Sequence, residues 1–195
     1  MFSGMLVNDT LNTIIGELLR FPVNNKPVST IDLSGVPSEI VNVVVSIISR
    51  AVFDFAVWSR GNDARPILLV CEEAHRYVPT DTMIFNSTKK AIERIAKEGR
   101  KYGVSLGLVS QRPADVSESA LSQCGTIFAM RLNNERDQKF VSHVMPEGAE
   151  GSLNALSSLQ NREALAVGEG VEAPVRLLVD KLDDDHLPSS GSPSS

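Results

Sequence analysis

Short, continuously apolar runs separated by helically patterned segments constrain this chain more than any other feature. ILLVC (67–71), VSLGLVS (104–110) and TIFAMRL (126–132) read as buried strands, apolar on both sides because helices cover both faces. Between the first two, residues 86–102 read as a helix. Asn86 or Ser87 can cap it, Gly103 can end it, and Ile92, Ile95, Ala96 and Gly99 face inward. Upstream, 28–33 reads as another strand, and Pro37 suits the first turn of a long helix. Ile40, Val44, Ile47, Ile48, Ala51 and Phe55 recur there at helical spacing, and Val41, Val43, Val45 and Val52 widen the apolar surface. Short helices are expected at 117–122 and 137–143, and 162–170 with 174–180 read as a C-terminal β-hairpin. Strands alternating with helices imply an α/β fold, with a mostly parallel sheet flanked by helices.

The 195 residues suffice for one domain, and 42% hydrophobic residues suffice for its core. A net charge of −5 gives no global basic signal, so any nucleic-acid contact must be a local patch. Lys90, Arg94, Lys97 and Lys101 do share one helix face, although most such stripes are simply solvated. Cys71 and Cys124 fit no metal spacing, and both are expected to be reduced and buried. The most apolar segment, 36–57, contains Glu39, Arg50 and Asp54, so no membrane span is expected and the location expected is cytoplasmic. The tail from 183 to 195, ending PSSGSPSS, is expected to be disordered.

Ligands of parallel α/β sheets bind at the carboxyl ends of strands. Glu72, Glu73 and Gln111 all stand at such ends. An apolar strand running into two acids is the Walker B layout, in which one acid holds magnesium through water and the next orients the attacking water. The plain alternative is a strand that ends at a charged surface. Gln111 can hydrogen-bond a γ-phosphate or the attacking water, or it can be a turn residue before Pro113. Arg100 and Lys101 lie at a helix end, where cations complement the helix dipole. Alternatively, one of them reaches a neighbouring subunit's phosphate as an arginine finger.

ILLVCEEAHRYVP, AIERIAKEGRKYGVSLGLVSQRP and CGTIFAMRLNNERDQ, in this order and spacing, resemble the HerA family of ring-forming ATPases, part of the HerA–FtsK group of P-loop DNA motors. The resemblance covers about 28–182. It implies the C-terminal portion of a RecA-like ATPase core over 1–182, with ATP and magnesium as cofactors. It also implies a homohexamer of the full-length protein on double-stranded DNA, in end processing or defence, with a nuclease as partner. Carried over by position, Glu72 matches the magnesium acid, Glu73 the catalytic glutamate and Gln111 the γ-phosphate sensor. Arg100 matches the arginine finger with Lys101 beside it, and Arg131 falls in a family motif. Glu72 departs from the usual Asp, by a methylene that a water-mediated contact absorbs. His75 either packs under the site or links it to DNA contacts.

A phosphate-cradling loop needs a Gly-Lys pair, and none occurs in these 195 residues. The chain alone is therefore expected to show little ATPase activity, whatever the full-length protein does. Two other readings remain open: a conjugation or secretion motor of the same superfamily, and a non-catalytic ring or scaffold module.

Overall fold

The computed structural model describes residues 13–14, 16–20, 25–59, 65–80, 86–145 and 155–183. The expected disordered tail lies outside them except for its first residue. The described residues fall into two compact units. One comprises the described residues up to Gln111 together with Asp115–Ala120; the other comprises Arg112–Ala114 and the described residues from Leu121 onward.

The first unit is built on two parallel strands, β1 (Ile67–Cys71) and β2 (Val104–Leu108), paired from Ile67 with Val104 to Cys71 with Leu108. Helix α1 (Ser38–Trp58) and helix α2 (Asn86–Glu98) pack against them. Pro37 is the N-cap of α1 rather than a residue of its first turn, and its carbonyl accepts from Ile40 and Val41. By length and composition α1 is apolar enough to cross a membrane. Here it contributes Val41 and Val45 to a core with Cys71, Val78 and Ile92, and Val52, Phe53 and Ala56 to a core with Ile95 and Val104.

The expected inward face of α1 needs correction. Ile40 and Ile47 are exposed, while Val41, Val45, Ser49, Val52, Phe53 and Ala56 are buried. Both faces are apolar, so periodicity alone does not choose between them. The strand expected at 28–33 does not form either. Val28 and Ile31 are exposed, and no neighbouring strand takes their backbone groups among the described residues. Leu68 and Val70 of β1 are also exposed, so this strand is covered on one face rather than both.

Helix α2 buries Ile92 and Ile95 as its pattern implies, leaves Ala96 partly exposed, and gives way to a 3-10 turn at Gly99–Tyr102 in which Gly99 is buried. Gly103 ends it at φ 77°, a left-handed conformation that suits glycine. Gly99 is required for a different reason. A Cβ there would lie 2.5 Å from the Val104 carbonyl oxygen, because the turn presses directly on β2. Gly99→Ala should therefore lower the unfolding free energy by about 1–3 kcal/mol. A urea midpoint equal to the parent's would show that the turn and strand do not approach this closely.

The second unit carries an antiparallel sheet in the order β3 (Thr126–Ala129), β4 (Glu163–Gly168), β5 (Val175–Leu178). Its core joins Ala129, Leu165 and Val167 to Leu156, Leu159 and Val141. The mostly parallel sheet of the sequence reading thus corresponds to one parallel pair and a separate antiparallel sheet among the described residues. An apolar run specifies a strand but not the direction of its partner. Helix α3 (Glu118–Leu121) belongs mainly to the first unit. Helix α4 (Glu135–Val144) belongs to the second, where Asn134 caps it by accepting from the Arg136 N–H at 2.9 Å.

Candidate active site

Parallel pairing makes β1 and β2 end side by side. Past the strands, the Val109 N–H donates to the Cys71 carbonyl at 3.0 Å, and the Ala74 N–H donates to the Val109 carbonyl at 2.8 Å. The residues just beyond each strand, Glu72 and Glu73 on one side and Ser110 and Gln111 on the other, are therefore held abreast. Glu73 takes up the turn with φ 52° and ψ 48°. For a residue with a Cβ this left-handed conformation costs about 1–2 kcal/mol, and such strain concentrates at functional sites. A 3-10 turn, Ala74–Arg76, follows immediately and brings His75 back toward Glu73.

The side chains meet accordingly. The Gln111 amide donates from Nε2 to Glu73 Oε1 at 3.1 Å. Nδ1 of His75 lies 3.2 Å from Ser110 Oγ and 3.3 Å from Glu73 Oε2. Glu72 is exposed beside them. Beneath, Cys71 is buried, which pushes its thiol up to about 11 and makes it a packing group rather than a nucleophile. Neither Cys71 nor Cys124 is in a disulfide; Cys71 is buried, whereas Cys124 is only partly so. The Tyr77 phenol is also raised, first by burial; Arg76 opposes this, and Cys71, Glu73 and Glu72 add to it.

Of the expected residues, Glu72, Glu73 and Gln111 thus converge at one edge of the parallel pair. Arg100 and Lys101 do not join them. They are exposed on the turn that precedes β2, and Gly103 at the end of that turn accepts from Ile67 at the start of β1. That is the opposite end of the strands, roughly 13–17 Å away for five residues. The Lys101 ammonium sits 5.7 Å from the Tyr102 ring centroid. Arg94 of the basic stripe lies 4.2 Å over the Phe53 ring and 3.8 Å from Glu98. Arg131 is exposed two residues past β3, in the second unit. Ser110 escaped the sequence reading, although its place directly before Gln111 at the end of β2 was a usable signal.

Magnesium binds mostly through phosphates and water, with one or two carboxylates. Among the described residues no three ligating side chains cluster, but Glu72 supplies one solvent-accessible carboxylate at the strand end. That donor set fits a magnesium–nucleotide complex and does not fit a metal held by protein alone. Bound there, magnesium would neutralise phosphate charge.

The chain shares its fold class with an NTPase that packages a viral genome. The genome-packaging NTPase B204 of Sulfolobus turreted icosahedral virus 2, solved with AMPPCP, superposes with a TM-score of 0.55 at 13% identity, over 73% of this chain and 63% of B204. Its complex with ATP-gammaS gives a TM-score of 0.52 at 14% identity, over 65% of this chain and 58% of that one. Within that class the chain belongs to the HerA family. It is 36% identical over 173 residues to a probable helicase of Methanocaldococcus jannaschii, covering 87% of this chain and 32% of that protein. It is 39% identical over 111 residues to the DNA double-strand break repair helicase HerA of Pyrococcus furiosus, covering 57% of this chain and 20% of that protein. The HerA helicase of Saccharolobus solfataricus is 30% identical over 188 residues, covering 94% of this chain and 36% of that protein. The chain thus spans about a third or less of the length of these relatives. No family model matches it.

Proposed function

We propose that this chain is the C-terminal part of the ATPase core of a HerA-type motor that couples ATP hydrolysis to movement along, or unwinding of, double-stranded DNA. The observation that carries the reading is the meeting of Glu73 and Gln111 at adjacent strand ends, with Gln111 Nε2 donating to Glu73 Oε1 at 3.1 Å. In this reading Glu72 holds the magnesium water shell and Glu73 polarises the attacking water. Gln111 reads the γ-phosphate, and Arg100 completes the site of a neighbouring subunit in a homohexamer. Lys101 and Arg131 are the next candidates to contact nucleotide. The setting is cytoplasmic DNA-end processing or defence, alongside a nuclease. The related helicases and the packaging NTPase, proteins named for work on DNA, favour this reading over a secretion motor.

The test is ATP turnover by the full-length protein with and without double-stranded DNA, beside the purified 195-residue chain. DNA-stimulated turnover is expected from the former. Little or none is expected from the latter, which lacks a Gly-Lys loop to hold the phosphates. A full-length protein that binds DNA but never hydrolyses ATP would favour the scaffold reading instead.

A further inference from the structure

The Glu73 carboxylate has two unlike oxygens. Oε1 accepts from Gln111, whereas Oε2 is shielded from solvent and has no aligned hydrogen-bond donor. A buried carboxylate oxygen in that state costs about 1–3 kcal/mol or more, so it calls for a cationic or donor group. The group the fold brings to it is His75 Nδ1, at 3.3 Å. That nitrogen makes its hydrogen-bond contact with Ser110 Oγ at 3.2 Å and stands as close to Oε2 without one. A negative oxygen this close selects the tautomer with its proton on Nδ1, because an imidazole lone pair facing it would be repelled. At 3.2 and 3.3 Å, both acceptors lie within reach of that one nitrogen. The backbone makes this arrangement reproducible: the Arg76 N–H donates to the Glu73 carbonyl at 2.8 Å, closing the turn that sets His75 against Glu73.

We infer that His75, steadied by Ser110, is a positioning residue for Glu73. It holds Oε2 and so fixes Oε1 as the oxygen presented to Gln111 and to the attacking water. This rests on the reading of Glu73 as the water-orienting acid. His75 acts through the carboxylate. A carboxylate left to rotate would lose the alignment on which water activation depends.

In the full-length protein, His75→Ala should lower kcat about 10- to 100-fold, as loss of an orienting partner does at metal sites, with KM for ATP within about twofold. His75→Asn, whose side-chain N–H can donate from nearly the position of Nδ1, should recover most of the loss. Added to Glu73→Gln, His75→Ala should have no further effect, because the group it positions is already gone. Parent-like kcat in His75→Ala, with Glu73→Gln crippled, would overturn the role of His75 alone. Parent-like turnover in Glu73→Gln would overturn the reading of Glu73 and this role with it. The contact has its own readout in the 195-residue chain. The ring nitrogen resonances of His75 should show the Nδ1–H form and should move on Glu73→Gln and on Ser110→Ala. An Nε2–H ring indifferent to both changes would refute the arrangement without any reference to hydrolysis.

Discussion

Arg100→Ala in the full-length protein should lower ATP turnover by about 10³- to 10⁵-fold while leaving nucleotide affinity largely intact, the effect of removing an arginine finger. Arg100 is exposed on the turn held against β2 by Gly99, at the end of the strands opposite Glu73. Within one subunit that separation keeps it from its own Glu73, so a catalytic Arg100 must serve a neighbour. Lys101 ranks behind it for two reasons: its ammonium is directed at the Tyr102 ring, and a lysine lacks the forked donors that grip a phosphate at two points. Arg94 is engaged with Phe53 and Glu98. If Arg100 is only a charge at a helix end, the same substitution costs about 0.3–1 kcal/mol of stability and leaves turnover unchanged. Mixed rings discriminate further. Arg100→Ala subunits combined with Glu73→Gln subunits should regain activity, because some interfaces then join an intact Arg100 to an intact Glu73. Near-parent turnover by a folded Arg100→Ala protein would pass the role to Lys101 or Arg131.

The parts of the site that were legible in the sequence are those set by chain direction. An apolar run that stops at Glu72 and another that stops before Gln111 define two strand ends, and parallel pairing then places them abreast. Side chains linked across 35 residues, such as His75 and Ser110, leave no local pattern. The left-handed backbone of Glu73 was hidden as well, because the sequence shows no Gly or Asn there to announce it. In the fold, α1 misled because it is apolar nearly all round. Ile40 and Ile47 satisfy helical spacing as well as Val41, Val45 and Val52 do, and only packing against Ile92 and Ile95 decides between them. For β3 the apolar run correctly marked a strand, but β4, its antiparallel partner, lies more than thirty residues further on, and no local pattern reports that the two pair. Leu68 and Val70 make the same point: an apolar strand records what it can bury, not what covers it.

Glu73→Gln in the full-length protein should slow hydrolysis at least ~100-fold and still bind ATP. The substitution is nearly isosteric. The new amide oxygen can still accept from Gln111, and the backbone conformation demands no more of Gln than of Glu. Glu73 is partly exposed, so weakening its contact with the His75 ring should cost no more than about 1 kcal/mol of stability. What disappears is the negative charge that, in the proposed function, polarises water. A group acting on a proton in flight contributes about 10²–10⁴ to the rate and little to ground-state binding. The predicted signature is therefore a fall in kcat with KM nearly unchanged and a melting temperature within about 4 °C of the parent's. Glu72→Gln should differ, because a magnesium-shell acid acts on the bound nucleotide and its loss weakens ATP binding as well as turnover. If Glu73→Gln turns over normally and Glu72→Gln loses kcat alone, the two acids have exchanged roles. The strained turn at Glu73 would then serve to present Glu72.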